Sequence, residues 1–140
     1  MIEDAYFIDS SLGEGKKLNV FVSTKNDYNN PMIFLGGRSI PNLYSSDLIL
    51  DGLSISDLIT DSNITEITFD YLGYGLSSKY NDDDYHCTYE ELYRDIVDVV
   101  NWVKKTYNVN KVPIYAISAT SVPAFMFAER HPELVERLII

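Results

Sequence analysis

One stretch of this sequence has residue types and spacing suited to chemistry: Val112-Pro113-Ile114-Tyr115-Ala116-Ile117-Ser118-Ala119-Thr120-Ser121-Val122-Pro123. A short apolar run ends abruptly at a serine, small and hydroxyl residues follow, and a helical pattern comes next. That order predicts strand, sharp turn and helix, with Ser118 at the apex and its side chain exposed at the carboxyl end of a strand. The backbone N–H of Ala119 would open the helix without an intrahelical acceptor, free to bind an oxyanion. The design is that of a nucleophile elbow, G-x-S-x-G in general form, written here Ala116-Ile117-Ser118-Ala119-Thr120. Alanine meets the demand for a small first flank, whereas β-branched Thr120 departs from the second. The competing reading is a serine that caps the helix after a buried strand.

A nucleophilic serine needs elements to hold it, and the rest of the chain supplies them in order. Ala5 to Asp9 and Leu18 to Thr24 read as two strands joined by a turn at Gly13-Glu14-Gly15-Lys16. In the second, Leu18, Val20 and Val22 alternate with Asn19, Phe21 and Ser23, the pattern of a half-solvated antiparallel edge. Met32-Ile33-Phe34-Leu35, opened by Pro31 and closed by Gly36-Gly37, fits a strand buried on both faces. The two glycines would allow close approach of the backbone. Ile40 to Asp61 predicts a short helix or two pieces, with a capping box at Ser54 and Asp57. Glu66 to Asp70 reads as the next strand. The Gly73-x-Gly75 that follows is a weak phosphate-binding signal, because Ser78 holds the third glycine position and no helix begins there.

Thr88 to Tyr107 is the clearest helix. Leu92, Ile96, Val99, Val100, Val103 and Tyr107 share one face, Thr88 and Glu91 form a capping box, and the charged residues, Asp95 among them, are expected largely off that face. Pro123 suits the first turn of the helix after Ser118. Glu133 to Arg137 reads as a turn, and Leu138-Ile139-Ile140 as the start of another strand.

Composition limits the partners. The 140 residues suit one domain, and 21 acidic against 11 basic residues give a net charge of −10. That balance disfavours nucleic acid and anionic membranes. Cys87 is the sole cysteine, so neither a disulfide within the chain nor a zinc motif can be built. No metal or cofactor is expected. No apolar run is long enough to span a membrane and no secretory leader is visible, so a soluble, cytoplasmic protein is expected. Asn63-Ile64-Thr65 then matches a glycosylation sequon by chance.

Strands alternating with helices imply an α/β fold, with a mostly parallel sheet of about six strands, an antiparallel N-terminal pair and flanking helices. Taken in order, the pieces resemble the α/β-hydrolase fold superfamily over nearly all of the chain. Met32 to Gly37 resembles the third strand and its oxyanion turn. Phe69-Asp70-Tyr71-Leu72-Gly73-Tyr74-Gly75-Leu76-Ser77 is similar to the D-x-x-G-x-G-x-S stretch after strand four. Tyr89 to Tyr107 resembles the helix before the elbow. Phe127-Ala128-Glu129-Arg130-His131-Pro132-Glu133-Leu134-Val135 resembles the A-x-x-x-P-x-x-V segment leading into strand six.

The resemblance implies a serine hydrolase working by acyl transfer. Ser118 would be the nucleophile, the N–H groups of Arg38 and Ala119 the oxyanion hole, and Gly36-Gly37 the supporting turn. Substrates would be small esters, thioesters, amides or short peptides. Serine rather than aspartate at the nucleophile argues against a dehalogenase. In this family the acid and then the histidine follow the serine, after strands seven and eight. Residues 1–140 therefore read as a single, incomplete domain that lacks both and is expected to be inactive alone. His86 and His131 sit in the wrong places to substitute, and Gly36 stands where the family usually has histidine. The alternative is a non-catalytic interaction domain of the same fold. An open sixth strand would favour a homo-oligomer or a complementing C-terminal half.

Overall fold

The computed structural model describes residues 2–25, 30–37, 52–81, 86 and 88–140. Among these, six strands form one sheet: β1 (Ile2–Asp9), β2 (Lys17–Thr24), β3 (Pro31–Leu35), β4 (Thr65–Asp70), β5 (Val112–Ala116) and β6 (Val135–Ile139). The spatial order is β1-β2-β4-β3-β5-β6. β1 and β2 pair antiparallel, as do β2 and β4, whereas β4-β3-β5-β6 is parallel throughout. The helices are α1 (Ile55–Asp61), α2 (Tyr89–Tyr107) and α3 (Ser121–Arg130), with one-turn 3-10 segments at Ser118–Thr120 and Pro132–Leu134. The expected α/β architecture, with an antiparallel N-terminal pair, is observed.

Alternation along the strands divides the core into two layers. Ile33 and Leu35 of β3, Ile67 and Phe69 of β4, and Ile114 and Ala116 of β5 face α2 and α3. They pack with Leu92, Ile96, Val99, Val100, Val103, Ala124 and Phe127. The other face carries Met32 and Phe34 against Ile59 of α1, with Tyr115 and Ile117 beside them. Both capping boxes read from the sequence are present. Ser54 and Asp57 cap α1, Thr88 and Glu91 cap α2, and each such N-cap stabilises its helix by about 1 kcal/mol. The rest of the expected Ile40–Asp61 segment lies largely outside the described residues.

Three expectations need correction. β2 is not a half-solvated edge: β1 takes the edge, and β2 lies between β1 and β4 with Leu18, Val20 and Val22 fully buried and Asn19 and Ser23 also buried. Residues 135–137 are strand rather than turn, because parallel pairing of Val112 with Val135 and of Pro113 with Arg137 extends a locally polar segment. Asp95 is not off the packed face of α2. It stands three residues after Leu92, within the buried stripe, and is 1% exposed.

Burial of Asp95 has an electrostatic consequence. One carboxylate oxygen accepts the Leu72 N–H at 2.8 Å, while Oδ1 has no hydrogen-bond partner among the described residues. Desolvation pushes its pKa up to about 8; nearby Asp98 and Glu91 add to the shift, and the Leu72 N–H opposes it. Between about pH 4 and pH 8 the folded chain therefore holds a proton that the unfolded chain has released. Stability should fall as pH rises through that window, by up to about 1.4 kcal/mol per pH unit. Urea midpoints measured across the window are expected to fall in the wild type and to flatten in Asp95→Asn. Equal slopes in the two proteins would contradict this assignment.

Candidate active site

The topology singles out one place in the sheet. From β3 the chain leads to β4 on one side, and from β5 it leads to β6 on the other. The carboxyl ends of β3 and β5 therefore meet at the topological switch point of the sheet, the place where ligands settle in open α/β sheets. Gly36-Gly37 follows β3 there and Ser118 follows β5.

Ser118 carries the sharpest backbone feature of this region. Its φ is +64°, the left-handed region that costs a non-glycine residue roughly 1–2 kcal/mol. The residue before it is extended, with φ −120° and ψ 134° at Ile117. Ser121 after it is right-handed helical, with φ −59° and ψ −33°. A strand thus becomes a helix within a few residues, and the left-handed residue makes the reversal. Ser118 is exposed, and its hydroxyl has no hydrogen-bond partner among the described residues. The helix-cap reading of this serine is not realised: neither the 3-10 turn nor α3 has a side-chain cap bond at its start. Ala119 is the second residue of the turn, so its N–H belongs to the leading donors that such a turn cannot itself satisfy.

Sequence reasoning missed how Thr120 fits. The position was expected to need a small residue. Thr120 is instead fully buried, and its hydroxyl is shared between Ile117 O at 2.8 Å and Leu35 O at 3.1 Å. Leu35 O also accepts the Ile117 N–H at 3.0 Å. Elbow and β3 are thereby joined at one carbonyl. On the other flank, Ala116 is fully buried, in keeping with the small residue expected there.

On the β3 side, Gly36 is buried and Gly37 partly so. A Cβ on Gly37 would meet no described atom within 4 Å, so no close backbone contact accounts for glycine there. Arg38, the expected second oxyanion donor, lies outside the described residues.

The loop after β4 is built for stiffness. Asp70, 2% exposed, accepts the Leu76 N–H at 2.9 Å, and a Cβ on Gly75 (φ +47°) would lie 2.0 Å from the Asp70 carboxylate. The Ser77 hydroxyl donates to Asp70 O at 2.5 Å and accepts the Asn19 N–H at 2.8 Å. Ser78 Oγ accepts the Lys17 N–H at 2.9 Å. Gly75 therefore serves the Asp70 turn, which gives the D-x-x-G-x-G-x-S pattern a structural meaning.

The two histidines belong to other networks. His131 Nε2 and the Tyr93 hydroxyl share a hydrogen bond of 2.7 Å at the far end of α3, a helix of 10 residues and hence about 15 Å long. His86 Nδ1 lies 3.0 Å from Glu91 and its ring stacks on Tyr80. No described histidine or carboxylate is hydrogen-bonded to Ser118. Among the described residues there is no group of three or more His, Cys, Asp or Glu placed to hold a metal, and no helix long and apolar enough to cross a membrane. A cleft of about 180 Å³ lies at the opposite end of the strands, lined by Asn30, Met32, Ile64, Pro113, Glu136, Arg137 and Ile139. Its lining holds no serine, cysteine or histidine, so the nucleophile candidate remains Ser118.

No family model matches this chain, and no curated protein matches it either. Solved structures do. The epoxide hydrolase VrEH1 from Vigna radiata superposes with a TM-score of 0.72 at 18% identity, over 97% of this chain and 39% of its own. A predicted CIB-like hydrolase from Thermoplasma acidophilum gives 0.70 at 16% identity, over 99% of this chain and 61% of its own. The thioesterase domain from the curacin biosynthetic pathway gives 0.75 at 13% identity, over 99% of this chain and 43% of its own. The fold is that of the α/β-hydrolases, and the chain spans from 39% to 61% of the length of these three neighbours.

The left-handed backbone at Ser118 has a measurable cost. Ser118→Gly relieves the Cβ clash, whereas Ser118→Ala retains it. Ser118→Gly is expected to be more stable than Ser118→Ala by roughly 0.5–1 kcal/mol in urea unfolding, after allowing for the greater unfolded-state entropy of glycine. A glycine variant equal to or weaker than the alanine variant would contradict the elbow geometry.

Proposed function

We propose that Ser118 is the nucleophile of an acyl-transfer hydrolase whose substrates are small esters, thioesters, amides or short peptides. One observation carries the reading: a non-glycine residue at φ +64° presents a hydroxyl with no partner among the described residues at the carboxyl end of β5, beside the carboxyl end of β3. Strain of this kind survives only where the surroundings over-determine it, and it concentrates at functional sites. The structural neighbours are hydrolases, which supports a hydrolase, and the thioesterase domain among them supports acyl chemistry.

In this reading Ser118 Oγ attacks the substrate carbonyl carbon and its proton passes to a base. The carbonyl oxygen becomes an oxyanion held by the N–H groups of Ala119 and Arg38, beside the Gly36-Gly37 turn. Such donors act on charge that develops only in the transition state, and removing one costs roughly 3 kcal/mol. The leaving group departs with a proton, and water then hydrolyses the acyl-serine. A neutral serine is a weak nucleophile without a base. We assign the base to a group other than His86 and His131, which are held in the networks described above. The outer edge of β6 pairs with no described strand, and Ile139 is 41% exposed, which suits either a complementing chain or a second copy at that edge.

A second reading, a non-catalytic interaction domain, draws on the lack of any described base at Ser118. The two separate cleanly. Treated with a fluorophosphonate probe in native extract, the protein is expected to acquire a single phosphonyl group on Ser118, with no labelling of Ser118→Ala. An unmodified Ser118 in the native protein would remove the hydrolase reading and leave the interaction domain.

A further inference from the structure

We infer that Thr120 is a positioning residue of the Ser118 site, its buried hydroxyl holding the elbow in register with the end of β3. The inference rests on the nucleophile assignment above. A nucleophile and an oxyanion donor work only if they are held in a fixed geometry, because a 1 Å misplacement of reacting groups costs about a hundredfold in rate. The Ser118 hydroxyl and the Ala119 N–H both ride on the turn after β5, and the end of β3 is what that turn is fastened to.

Among the described contacts, Leu35 O is where the elbow is tied to the end of β3. It takes the Ile117 N–H at 3.0 Å, the last rung of the parallel ladder, and the Thr120 hydroxyl at 3.1 Å. The first bond precedes Ser118 and the second follows it. Ser118 and Ala119 are thus bracketed between two attachments to the same carbonyl. The hydroxyl is also 2.8 Å from Ile117 O, so it closes the turn upon itself. Thr120 is fully buried, which keeps water from competing for these acceptors. Glycine here would leave the second attachment unmade, and valine would fill the space without a donor.

The test is the rate of phosphonylation of Ser118 in the full chain, resolved into a maximal inactivation rate constant and a concentration for half-maximal rate. Thr120→Ser retains the hydroxyl; Thr120→Val retains the shape; Thr120→Ala retains neither and introduces no bulk. Thr120→Ser is expected to stay within about twofold of the wild type, and Thr120→Val and Thr120→Ala to lose about tenfold or more in the maximal rate with the half-maximal concentration unchanged. That split, with rescue by serine, would not follow from a general loss of stability, which thermal melting of each variant records separately. Thr120→Ala remains decisive should Thr120→Val fail to fold. Equal rates for Thr120→Ser and Thr120→Ala would overturn the positioning role and leave the nucleophile assignment standing. An unreactive wild-type Ser118 would overturn both.

Discussion

Leu35 O, at the carboxyl end of β3, receives the Ile117 N–H from just before the strained serine and the Thr120 hydroxyl from just after it. The left-handed turn at Ser118 is unfavourable by itself, so its neighbours must hold it. β5 fixes the incoming chain, α3 fixes the outgoing chain, and the Leu35 carbonyl fixes both to the central strand. Ile33, Leu35, Ile114 and Ala116 beneath them are wholly buried, so the strand ends rest on a close-packed floor.

Strand order turns this local device into a site. β3 and β5 are neighbours in space whose next strands lie on opposite sides, so their carboxyl ends mark the switch point of the sheet. The loop after β4 is held by the Asp70 carboxylate and by the Ser77 and Ser78 hydroxyls, which anchor it to β2. Both histidines are held in aromatic networks elsewhere on the molecule. In the proposed reaction Ser118 would be the nucleophile and the Ala119 N–H an oxyanion donor, and neither described histidine is hydrogen-bonded to Ser118.

Much of the fold was legible in the sequence because local signals and packing agree. Both capping boxes, the doubly buried Pro31–Leu35 strand and the apolar stripe of α2 follow from residue types and period alone. The serine turn was legible from an apolar strand ending at Ser118 among small residues. Misreadings arose where a distant partner decides. β2 looked half-solvated because the sequence does not say which strand takes the edge, and Val135–Arg137 looked like a turn because only pairing with β5 extends it. Asp95 looked like a surface charge by type, although its spacing from Leu92 puts it on the buried face and Leu72 supplies its hydrogen bond. Thr120 looked like a steric fault. Its acceptors come from Ile117 and from Leu35, 85 positions away, which no local pattern reveals.

The most direct measurement is a crystal structure of the native protein after reaction with a small fluorophosphonate. The expected density joins phosphorus to Ser118 Oγ, keeps Ser118 at positive φ, and places the phosphonyl oxygen in hydrogen-bond contact with the Ala119 N–H. A phosphonyl group on another residue, or an oxygen on Ser118 turned to solvent with the Ala119 N–H unengaged, would contradict the account.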